Sequence, residues 1–66
     1  MMRTQEMVVV DARGLRARAE RLRRRAGHDD GPLAVSYRRR ASELMLQAWL
    51  LEIRAGVPLD RIPTAA

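Results

Sequence analysis

Residues 26–33 read AGHDDGPL, and the fold turns on how they are read. Two acids between glycines, closed by a proline, form a break between helices rather than part of one. Gly27 suits the position just past a helix end, and Pro32 suits the first turn of the next helix, where its missing N–H costs nothing. Upstream of the break, Ala12, Leu15, Ala19, Leu22 and Ala26 recur at gaps of three, four, three and four. That is one narrow, small-sided helical seam. It predicts a first helix over residues 12–26, with Asp11 as its N-cap and Gly14 weakening it by roughly 1 kcal/mol relative to alanine. Downstream, Tyr37, Ala41, Leu44, Ala48, Leu51 and Ala55 repeat the same rhythm up to Gly56 and Pro58. They predict a second helix over residues 32–55, capped by Asp29 or Asp30.

A turn this short makes the two helices antiparallel neighbours. The second helix carries more apolar surface than one partner can cover. Leu46, Trp49 and Ile53 form a second seam, with Met45 and Leu50 beside it, while the polar stripe is reduced to Ser36, Arg40, Glu43, Gln47 and Arg54. At 1.5 Å per residue the first helix spans about 22 Å and the second about 36 Å. The C-terminal half of the second helix is therefore expected to project with its apolar face uncovered. Two covers are available: a second copy of the chain, and the MVVV run at residues 7–10, which reads either as an extended segment, favoured by its valines, or as a first helical turn with Thr4 as cap. The expected fold is all-α. An antiparallel helical hairpin dimerises into a four-helix bundle, with residues 1–11 an extended or frayed N-terminal segment, 12–56 the hairpin and 57–66 an extended tail. Leu46, Trp49, Leu50 and Ile53 are the expected self-association or partner interface.

With 66 residues and no cysteine, the chain has room for one small core and no disulfide to reinforce it. Such a core rarely supplies more than about 3–5 kcal/mol, which again favours association. All 13 basic residues are arginine, and the net charge is +5. The charge is concentrated: residues 12–40 hold ten arginines against Glu20, Asp29 and Asp30, a local +7, while the segments on either side each carry −1. Arg21, Arg23, Arg24, Arg25, Arg38, Arg39 and Arg40 crowd the turn end of the hairpin. Consecutive arginines spread about 100° apart around a helix, so neither triplet shares one face. They can serve as solvated faces whose stems cover apolar surface. They can equally form an anion-binding end, most naturally for a nucleic-acid backbone.

A short N-terminal strand followed by helix, turn and helix resembles the layout of ribbon-helix-helix DNA-binding dimers. There, paired strands enter the major groove. The resemblance implies that Arg3, Gln5, Met7 and Val9 would share one strand face, with Arg3 and Gln5 reading bases. It is one of layout only. MVVV does not alternate, and the second helix is longer than that fold needs.

Catalytic chemistry finds little footing. His28 is the lone histidine, and the adjacent side chains of HDD converge poorly on one ion, so they read as a capping turn with no metal. Neither Ser36 nor Ser42 has a recognisable activating base, and there is no phosphate-binding glycine loop. The sequence points to a non-catalytic binding protein without a cofactor or a small-molecule substrate. Its expected form is a helical homodimer showing an arginine-rich end to an anionic partner, nucleic acid foremost and a membrane surface unlikely. The alternative is a protein–protein adaptor or assembly subunit docking a larger complex through Trp49, Leu50, Ile53 and the LDRIP tail. No apolar run is long enough for a signal peptide or a membrane span, and the expected location is cytoplasmic.

Overall fold

The computed structural model describes residues 2–63, with side chains from Thr4 onward. Two helices, α1 (Met2–Ala26) and α2 (Pro32–Arg54), pack against each other as a hairpin, and a single 3-10 turn, η1 (Leu59–Arg61), follows. No strand occurs among the described residues. The hairpin is a rod of 45 × 18 × 14 Å. None of its helices is long and apolar enough to cross a membrane.

Both expected seams face inward. Ala12, Ala19 and Ala26 of α1 and Ala41, Leu44 and Ala48 of α2 are buried, joined by Ala34. Leu15, Leu22 and Met45 pack around Ala19, Ala41 and Leu44. The buried alanines recur every seven residues on each helix, so the two backbones meet along a line of small side chains. Among the described residues, Leu44 is the one large apolar side chain that is fully enclosed. Larger residues flank the line and stay half-exposed.

The ends form largely as the glycines foretell. Gly27 (φ 58°) and Gly56 (φ 79°) both adopt the left-handed conformation that closes a helix. At the end of α2, the Gly56 N–H donates to the Ile53 carbonyl and the Val57 N–H to the Glu52 carbonyl, both at 3.0 Å. This paired arrangement satisfies carbonyls that the helix itself leaves open. The expected acidic cap differs. Gly31 is the N-cap of α2, without a side-chain cap bond, and Asp29 instead accepts from the Gly31 N–H at 3.1 Å, bracing the turn one step earlier.

Three expectations are corrected. Residues 2–11 are helical rather than extended, so Asp11 lies inside α1 and caps nothing. Propensity is a weak prior for β-branched residues, and here packing decides: Val8 and Val9 are half-buried and the Gln5 Nε2 donates to the Ala55 carbonyl at 3.1 Å. With 25 and 23 residues the helices match in length, so α2 does not project. The tail is also less extended than expected, because Val57 and Ile62 are buried. Residues 64–66, and the side chain of Arg3 offered as a base reader, lie outside the described part. Without an N-terminal strand, the ribbon-helix-helix layout loses its reading element.

Gly14 has nothing within 4 Å of where a Cβ would stand. It sits mid-helix, where glycine carries an entropic cost and gains no close approach in return. Gly14→Ala should therefore stabilise the fold by about 1 kcal/mol, raising the melting temperature by about 4–8 °C in a domain this small. A thermal melt by circular dichroism reads this directly, and an unchanged or lowered midpoint would contradict it.

Candidate interaction surfaces

Arg23, Arg24 and Arg25 make up the last turn of α1, where cations complement the partial negative charge of the helix C-terminus. Arg21, Arg23, Arg24 and Arg25 are all exposed, as are Arg39 and Arg40 across the hairpin. The first triplet reaches across the hairpin at one point: the Arg25 guanidinium lies 5.9 Å from the centroid of the ring of Tyr37, the residue before the second triplet, within cation–π range. Tyr37 itself is half-buried at its seam position.

Arg38 behaves differently from its neighbours. Its Nη2 donates to the Gly27 carbonyl at 3.0 Å and to the Asp29 carbonyl at 2.5 Å. These are turn carbonyls without helical partners, and Arg38 ties the start of α2 to the turn that precedes it. Of the seven arginines expected at an anion-binding end, Arg38 is thus occupied in structure. Arg40 has a loose ion pair with Glu43 at 3.8 Å, both partly solvated. Exposed pairs of this kind contribute little. Arg21, Arg23, Arg24, Arg25 and Arg39 make no ion pair among the described residues, and Glu20, Asp29 and Asp30 take none of them. The turn end carries an excess of positive charge over Glu20, Asp29 and Asp30.

The outer face of α2 carries the second expected surface. Leu46 is 55% exposed, Trp49 43% and Ile53 38%, while Leu50 is half-buried. Of residues 7–10, Val8 and Val9 are half-buried, while Met7 and Val10 remain exposed. The stripe continues towards the turn as Ser42, Arg39 and Val35, all exposed, at strictly alternating gaps of three and four. Beside it lies an open groove of about 420 Å³, lined by Met45, Leu46, Trp49 and Pro63 together with Arg16, Arg23 and Ser42. The folded-back tail supplies one wall, and Arg23 belongs both to the groove and to the arginine triplet.

A third feature escaped the sequence reading. Glu52 is 2% exposed and is held by Arg16 in a two-pronged ion pair, Nη1 to Oε2 at 2.9 Å and Nη2 to Oε1 at 2.5 Å. Planar fork-to-carboxylate pairing of this type is the strong form of the interaction. The Arg16 Nε is buried without an acceptor among the described residues. The signal was present in the spacing: Glu52 lies four residues after Ala48 and eight after Leu44, on the seam itself. Arg16 stands four after Ala12 and three before Ala19.

No family model matches the chain, and neither a curated protein nor a solved structure shows significant similarity to it.

Removing one member of the Arg16–Glu52 pair strands a charge in the seam. Glu52→Ala and Arg16→Ala should each cost about 3–5 kcal/mol, comparable to the whole stability of a core this small. The double variant Arg16→Leu/Glu52→Leu should recover most of the loss, because apolar replacement of both partners removes the stranded charge. Urea titrations of the three variants test this; equal losses in the single and double variants would refute it.

Proposed function

We infer that the protein is a non-catalytic nucleic-acid-binding hairpin whose arginine-rich turn end engages the phosphate backbone. The observation that carries this reading is the set of exposed arginines at one end of the rod, Arg21, Arg23, Arg24, Arg25 and Arg39, without ion-pair partners among the described residues. Arginine suits the task because its planar fork matches phosphate geometry. Mutual repulsion makes such a cluster costly unless something relieves it, and a polyanion does so while releasing its own counterions.

A second reading, a helical dimer or a protein–protein adaptor, is favoured by a separate observation. The protein exposes 5302 Å², whereas a compact monomer of 7.5 kDa exposes about 4,200 Å². The surplus includes the 3–4 stripe of Leu46, Trp49 and Ile53, the kind of contiguous apolar surface that marks an interface. A second hairpin laid there would complete a four-helix bundle and leave the arginine end free.

Binding to mixed-sequence duplex and single-stranded oligonucleotides, measured across salt concentrations, tests the first reading. The logarithm of affinity should fall steeply with the logarithm of salt, by about 0.9 per phosphate neutralised on a duplex and about 0.7 on a single strand. Replacing Arg21, Arg24, Arg25 and Arg39 with glutamine should flatten that slope by about 3 while leaving the helical signal intact, since exposed charges add roughly 0–1 kcal/mol each. Wild-type protein that shows no salt-dependent binding to either form would overturn the reading. Sedimentation equilibrium at micromolar concentration tests the second, with a monomer counting against it.

A further inference from the structure

Trp49 is the one tryptophan in the chain, and it lies half-exposed in a groove whose other walls include two arginines and a serine. An apolar groove alone says nothing of its occupant; the charge around this one does. Arg16 and Arg23 line it from α1, a heptad apart, while Ser42 lines it from α2. No Asp or Glu is among the lining residues. Glu52, which holds Arg16 from behind, is buried rather than part of the lining. Arg16 additionally keeps its Nε without an acceptor among the described residues. With Arg16 paired to Glu52, the groove joins an aromatic surface to the guanidinium of Arg23, which has no ion pair among the described residues, the combination that grips an unpaired base and its phosphate. Its volume falls in the range of small-ligand sites.

We propose that this groove takes an unstacked nucleobase of a single-stranded nucleic acid, stacked on Trp49, with the adjoining phosphate held by Arg23. The proposal rests on the nucleic-acid reading above and specifies the form of nucleic acid. Arg23 connects the two surfaces: it ends one wall of the groove and begins the triplet RRR of residues 23–25. A strand bound at the turn end reaches Trp49 by way of Arg23, the member of the triplet that lines the groove. A base inside a duplex cannot reach the groove without being flipped out of its stack, so the groove selects single strands. Met45, Leu46 and Pro63 supply apolar edges that hold a flat ring of any base, and Ser42 offers a hydroxyl to either base or phosphate. The expected recognition is accordingly tolerant of sequence.

The single tryptophan makes the test direct. Oligonucleotides of about ten nucleotides, single-stranded or folded as a duplex hairpin of equal charge, are titrated into the full chain while Trp49 emission is followed. Single strands should quench the emission saturably, and the duplex should bind through the arginines without quenching it. With binding read instead from the anisotropy of dye-labelled oligonucleotides, Trp49→Ala should weaken single-strand binding about 5- to 150-fold, the worth of one stacked base, while leaving duplex binding unchanged. Trp49→Phe keeps a ring and should restore most of the loss, which separates stacking from a folding defect; circular dichroism on each variant completes that separation. Single strands and duplex binding equally well, both insensitive to Trp49→Ala, would overturn this proposal and leave backbone binding by the arginines standing. Failure of both forms to bind would overturn the two together. Trp49 emission that shifts with protein concentration alone, and that single strands leave untouched, would assign the groove face to a second copy of the chain and overturn the proposal.

Discussion

The structure depends on the closeness with which two helices can approach along alanine. Ala12, Ala19 and Ala26 on one side and Ala34, Ala41 and Ala48 on the other are essentially without exposed surface. A methyl side chain lets the backbones come together but contributes little apolar area, about 0.8 kcal/mol per buried methylene-sized group. Close approach also displaces most larger apolar side chains, Leu44 excepted. Leu15, Leu22 and Met45 pack beside the line rather than in it, and Leu46, Trp49 and Ile53 are left on the far flank of α2. The exposed apolar stripe is thus a consequence of the alanine seam. So is the extended shape: the radius of gyration is 13.4 Å, where a compact chain of this length has about 11 Å.

A seam that repeats every seven residues is degenerate. Sliding one helix past the other by seven places alanine opposite alanine again. The Arg16–Glu52 pair is not degenerate. The same slip would bring Arg16 to the level of Met45 or Leu59 and leave two charges in the seam without partners. Buried polar pairs are known to fix register at some cost in stability, and this one sits towards the open end, far from the turn that otherwise sets the alignment. Gln5 adds a second restraint there by donating to the Ala55 carbonyl. At the other end Arg38 performs the equivalent task on the carbonyls of Gly27 and Asp29. The rod is therefore closed by polar groups at both ends and by methyl groups between them.

The seams, the turn and both glycine ends were legible because periodicity and φ > 0 chemistry are local properties. What was not legible depended on the partner helix. Residues 7–10 read as a strand by valine content, yet α2 offers Val8 and Val9 a surface to pack against, and the backbone stays helical. Glu52 reads as one more solvated charge until α1 places Arg16 across from it. Arg38 looks like its two neighbours in RRR, but only its position faces the open carbonyls of the turn. The groove could not be seen at all, since it needs α1, α2 and the returning tail together. A lone tryptophan and a distant arginine triplet gave no hint of sharing it.

The same economy bears on the arginines. A hairpin with a thin methyl core and like charges massed at one end is held by a small margin, about 3–5 kcal/mol for cores of this size. Any partner that binds the folded form and not the unfolded chain adds RT ln(1 + [L]/Kd), about 2.7 kcal/mol at a hundredfold excess over Kd. For a large domain that increment is minor; here it rivals the core. A polyanion bound at the turn end, as proposed, would act twice, by mass action and by reducing the repulsion among Arg21, Arg23, Arg24, Arg25 and Arg39. On the proposed reading, the charge massed at the turn end would couple the folding of the hairpin to an anionic partner.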